Sequence, residues 1–137
     1  MPNAPANRPL TVTPTNCHAG IGGGPLKVLI NTHWHFDHTD GNEGNIDGMI
    51  AGSARGLTLA EADTKIVQGH GPVGDKAALA KTHDMLVTVR DRVNALKAAG
   101  KSQQETVAAK PTADLDAVWG KGQLNGDLFT TVVYSTL

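Results

Sequence analysis

Residues 28–43 read VLINTHWHFDHTDGNE, an apolar run leading into three histidines and an aspartate within positions 33–38. The run at residues 26–32 is rich in β-branched and aliphatic side chains and follows a Gly/Pro stretch. It reads as a buried strand of about five or six residues. In extended backbone, side chains alternate between faces. His33 and His35 therefore share one face, while Trp34 and Phe36 point the other way, towards a core. Two neutral imidazoles at i and i+2 grip one divalent ion, with zinc–nitrogen distances of about 2.0–2.1 Å. Asp37 continues on the ligand face. His38 joins it only if the backbone leaves the strand near Phe36, which the polar, glycine-containing TDGNEGN that contains Thr39 and Asn45 permits. The spacing predicts two adjacent metal positions, one served by His33 and His35, the other by Asp37 and His38. The bland alternative is a histidine-rich surface loop.

His70 stands in a second stretch of the same kind, TKIVQGHGPVG, where a short apolar strand runs into glycines. Glycine on both sides lets the backbone approach an ion closely. In open α/β sheets, sites gather at the carboxyl ends of strands, and both histidine regions fit that placement. The remaining singular residues read as incidental. His83 sits among Lys81, Thr82 and Asp84 and is expected on a solvated helix face, Cys17 and His18 lie in a loose arm, and Asp40 is a cap or a partner for an imidazole. Trp119 and the other scattered aromatics are expected in core packing.

The composition narrows the classes. With 137 residues, 39 % hydrophobic and 18 % charged, the chain has the size and character of one folded domain. A net charge of −1 gives no electrostatic footprint for nucleic acid or an anionic membrane. One cysteine excludes an internal disulfide. No apolar stretch reads as a secretion signal or membrane span, so the expected setting is cytoplasmic.

Residues 1–24 are rich in Pro, Asn and Gly and are expected to form a flexible arm, with the domain proper at 25–137. A helix is expected over residues 46–62, weakened by Gly48, Gly52 and Gly56 and packed against a sheet. Residues 75–99 are firmly helical in pattern, with Leu79, Leu86, Val89, Val93 and Leu96 on one face, Asp75 as N-cap and Gly100 just past the end. A short helix starts at Ser102 with Glu105 as its capping-box partner and stops before Pro111. The tail at 127–134 fits either a helix or a strand.

VLINTHWHFDHTDGNE resembles the signature of the metallo-β-lactamase superfamily, and TKIVQGHGPVG resembles that family's closing histidine loop. The segment from Asp75 onward is similar to the C-terminal helices of its hydrolase members. The resemblance implies an α/β fold: a partial αββα sandwich with a short sheet and C-terminal helices. It places His33 and His35 in a first zinc site and Asp37, His38 and His70 in a second, with Asp37 also positioning the attacking water or handling the leaving group's proton. Zinc brings the pKa of bound water from 15.7 to about 7 and polarises the scissile group. The family's further ligands normally fall between His38 and His70, yet residues 39–69 hold neither His nor Cys. The resemblance therefore implies a truncated member with an internal deletion, whose second site is the better preserved. The expected function is zinc-dependent hydrolysis of an ester, amide or phosphoester-type bond in a small-molecule substrate, with one or two zinc ions. The alternative is an inactive remnant serving as a metal-binding or structural α/β module. A sheet stripped of neighbouring strands exposes its edges, so a homodimer is expected.

Overall fold

Asn45 starts the first helix: its side-chain oxygen accepts the Gly48 N–H at 2.7 Å. The computed structural model describes residues 45–67, 72–121 and 124–137. Helix α1 spans Ile46–Leu59 in spite of its three glycines. Its buried residues Ile46, Met49, Ser53 and Gly56 recur at three- and four-residue spacing, a single stripe along one face. Tertiary contact along that stripe outweighs the low helix propensity of glycine.

The stripe meets helix α2, Lys76–Ala98, and the two helices run antiparallel. Three links fix the register. Asp47 pairs with Arg90 at 3.1 Å, Ser53 meets His83 at 2.9 Å, and the Lys76 ammonium donates to the Ala60 carbonyl at 2.9 Å. Both ends of α2 follow from local sequence. The Asp75 carboxylate accepts the Ala78 N–H at 2.8 Å. At the other end Gly100 takes φ +80°, so its own N–H reaches the Lys97 carbonyl and the Lys101 N–H reaches that of Leu96. That pair of bonds is the Schellman arrangement, and the left-handed residue in it favours glycine.

Helix α3, Gln103–Ala108, carries the reciprocal capping box of Ser102 and Glu105. The Ser102 N–H and hydroxyl hold the Glu105 carboxyl below its ordinary value of 4.5, and Lys101 adds to the effect. A short turn, α4 (Asp116–Trp119), precedes α5, Gly126–Thr136. The β-branched tail is therefore helical. Asn125 caps it by accepting the Leu128 N–H, and the hydroxyls of Thr130 and Thr131 donate back to the Gly126 and Asp127 carbonyls. Those bonds satisfy the threonines inside the helix, while burial of Thr130 and Val133 against α2 and α3 outweighs the strand preference.

The core joins Ile46 and Met49 of α1, Leu86, Val89 and Val93 of α2, and Val133 of α5. Each such side chain contributes about 1.5–3 kcal/mol by leaving water. Around it, Arg92 clamps Asp114 through two bonds and also donates to the Pro111 carbonyl, which ties the α3–α4 connection to α2. The guanidinium holds the Asp114 carboxyl below its usual range, and its own pKa is raised in return. Lys97 bonds the Tyr134 carbonyl and sits 4.8 Å from the centre of that ring, while the Tyr134 hydroxyl donates to the Lys101 carbonyl. The end of α5 is thereby fixed to the end of α2.

The expected partial αββα sandwich is overturned. The described residues are mostly helical and contain no sheet. The expected second strand, residues 64–67, makes a single antiparallel bridge between Ile66 and Gly74, within its own loop. Ile66 is buried and Val67 is half exposed. The glycine-bearing face of α1, expected against a sheet, packs on a helix. The C-terminal helices and the expected caps at Asp75 and Ser102 are present, and Asn45 and Asn125 cap two further helices. The expected arm at 1–24 and the expected strand at 26–32 lie outside the described residues.

Thr106 is fully buried, and its hydroxyl has no hydrogen-bond partner among the described residues. An unmatched buried hydroxyl costs about 1–3 kcal/mol. The isosteric Thr106→Val is expected to stabilise the protein by roughly 1 kcal/mol in urea unfolding, with an unchanged dependence on denaturant concentration.

Candidate functional site

His33, His35, Asp37, His38 and His70 all lie outside the described residues, as do Cys17, His18 and Asp40. The structure does describe the two anchors from which the ligand-bearing segments depart. Asn45, seven residues after His38, forms the N-cap of α1. On the other side, the loop containing His70 is closed at its base by Ile66 and Gly74. The Ile66 N–H donates to the Gly74 carbonyl at 2.9 Å, and the Gly74 N–H returns the bond at 2.8 Å. This exchange fixes where the loop leaves and re-enters the helical body, and Asp75 starts α2 directly afterwards.

The two anchors sit at opposite ends of α1. Fourteen residues at 1.5 Å each put them about 21 Å apart. An extended chain covers up to ~3.6 Å per residue, so seven residues from Asn45 to His38 span at most about 25 Å, and four residues from either base of the loop to His70 about 14 Å. Chain reach therefore allows His38 and His70 to meet.

The described residues contain no group of three His, Cys, Asp or Glu side chains placed to share a metal ion. Asp47 is committed to Arg90 at the start of α1. Asp63 lies exposed in the turn after α1, on the His70 side. Neither is drawn into a cluster. Around the His70 loop, Leu59, Val67 and Val73 are all exposed, an apolar rim at that end of the helix pair.

His83 departs from the expectation of a solvated face. It is half buried, and its Nδ1 lies 2.9 Å from the Oγ of Ser53, a residue only 3 % exposed. The Ser53 hydroxyl donates to the Ile50 carbonyl at 2.9 Å. With that bond made, the Ser53 oxygen accepts from His83 in the tautomer that carries its proton on Nδ1. Serine beside histidine is the pairing of a nucleophile with its base, but here the serine is shielded from solvent and its hydroxyl also bonds its own helix. The pair is an interhelical clasp.

A cavity of about 170 Å³ between α1, α2, α4 and α5 went unforeseen. Trp119, expected in the core, lines it and is 38 % exposed. No local pattern marks this cavity, because its walls come from four separate elements.

Removing the clasp tests its structural role. Ser53→Ala is expected to lower stability by about 1 kcal/mol, as the half-buried His83 loses its partner. Comparison with family models, with curated proteins and with solved structures finds no match, so any functional reading rests on the chain's own residues.

Proposed function

We propose that the chain is a zinc-dependent hydrolase acting on an ester, amide or phosphoester-type bond of a small molecule. The single observation that carries this reading is the H-x-H-x-D-H cluster at 33–38, four nitrogen or oxygen ligands within six positions. Its donor set suits zinc: imidazole and carboxylate are the borderline ligands that this ion prefers in catalytic sites. His70 supports the reading, because its loop is closed at the base by the Ile66–Gly74 exchange and so leaves the helical body at a defined place.

In this proposal Asp37, His38 and His70 hold one ion, and His33 with His35 supplies the weaker neighbouring position. When bound, zinc supplies Lewis acidity and makes water a nucleophile near neutral pH. Asp37 accepts the proton released in the attack and returns it to the leaving group. For His38 and His70 to share an ion, the reaches of the two segments must together span the length of α1, which the distances calculated above allow.

A second reading is favoured by the helical character of the described residues. A catalytic zinc needs three protein ligands held in fixed geometry with one open position. A sheet is one scaffold that provides this rigidity, and none is present among the described residues. On this reading the chain binds the metal and does not turn over substrate.

Elemental analysis of protein purified without chelator, together with hydrolysis of a nitrophenyl ester and a nitrophenyl phosphodiester, separates these readings. A hydrolase contains at least one zinc per chain and loses both metal and turnover in His38→Ala. Zinc without turnover supports the second reading, and absence of zinc removes both.

A further inference from the structure

The cavity near Trp119 carries chemistry that the metal reading does not use. Met49 of α1, Met85 and Val89 of α2, and Phe129 of α5 form apolar walls, and Thr112 and Asp116 supply polar groups. Asp116 is the only charged residue among the described residues of the lining. A Cβ at Gly126 would collide with the Asp116 carboxylate oxygen and with the Thr112 hydroxyl, so both oxygens lie at the start of α5, where glycine leaves them room.

Among the described residues, the other aspartates with close charged neighbours are matched. Asp47 and Asp91 pair with Arg90, Asp114 with Arg92, and Asp127 with Lys110. Asp116 forms no such ion pair or side-chain hydrogen bond among the described residues. A partly buried carboxylate against an apolar chamber, with no internal cation, is complementary to a cation brought by a ligand. Trp119 in the same lining adds the attraction of an indole for a positive charge. The two methionines give adaptable, polarisable walls suited to a ring. At about 170 Å³, the chamber is close to the ~150 Å³ at which an apolar protein cavity admits benzene.

We propose that this cavity binds a small apolar amine, with a single ring or a short alkyl body between Met49, Met85 and Phe129 and its ammonium group on the Asp116 carboxylate. The site is independent of the metal ligands and stands whether or not the chain hydrolyses anything.

Methionine-methyl NMR of the full chain tests it, because Met49 and Met85 line the cavity. Benzylamine, at millimolar concentrations suited to so small a ligand, is expected to shift the Met49 and Met85 methyl signals to saturation. Benzyl alcohol, of the same shape without the charge, should bind roughly tenfold more weakly, and benzoate more weakly still. Asp116→Asn should reduce the preference for benzylamine over benzyl alcohol by roughly tenfold while leaving the spectrum folded. Met85→Trp, which fills the chamber, should abolish binding of both. The proposal is overturned if benzylamine leaves both methyl signals unmoved, if the three probes bind alike, or if Asp116→Asn keeps the full preference for the amine.

Discussion

The antiparallel contact of α1 with α2 is the constraint on which the described structure depends. It buries a stripe of Ile46, Met49, Ser53 and Gly56, and it is locked in register by Asp47 with Arg90, Ser53 with His83, and Lys76 with the Ala60 carbonyl. The small residues at 53 and 56 let the helices approach, which explains why a glycine-rich segment forms fourteen residues of helix. The exposed ion pair contributes little, because water screens it. Apolar burial through Val89 and Val93, both fully buried, supplies the larger part. The same contact sets the functional geometry, since it places the start of α1 and the base of the His70 loop at opposite ends of one rigid rod.

What the sequence made legible was local. Asp75, Ser102 with Glu105, and Gly100 announce helix ends through side-chain and backbone bonds spanning three to five residues, and each is found where its pattern indicates. The apolar face of α2 was equally readable, because 3.6-residue periodicity over twenty-three residues has no strand alternative. Non-local features were not. The β-branched run at 130–133 has strand propensity, and only its burial against α2 and α3 makes it helical. Residues 64–67 have the composition of a strand, but a strand requires a partner, and among the described residues Ile66 bridges to Gly74 alone. His83 looked solvated because its partner is thirty positions away.

For the candidate site, the division falls differently. The five candidate ligands are legible as a pattern because metal coordination restricts residue type and spacing severely, and that restriction survives without knowledge of fold. Their arrangement in space is a tertiary property, and the sandwich inferred by resemblance does not describe the helical residues that flank them. The amine cavity shows the converse. Its geometry is explicit in the structure, yet it left no trace in sequence, since Met49, Met85, Asp116 and Phe129 are unremarkable in their own neighbourhoods.

The central claim is that Asp37, His38 and His70 bind one ion although α1 separates their points of attachment. Long-range proton–nitrogen NMR of the six histidine rings during a zinc titration addresses it directly. The account predicts that the His38 and His70 ring nitrogens shift together and reach their end point at the same zinc equivalent, while His83, held by Ser53, does not move. If His70 stays unshifted while the cluster at 33–38 saturates, the two segments do not share an ion and the hydrolase reading fails.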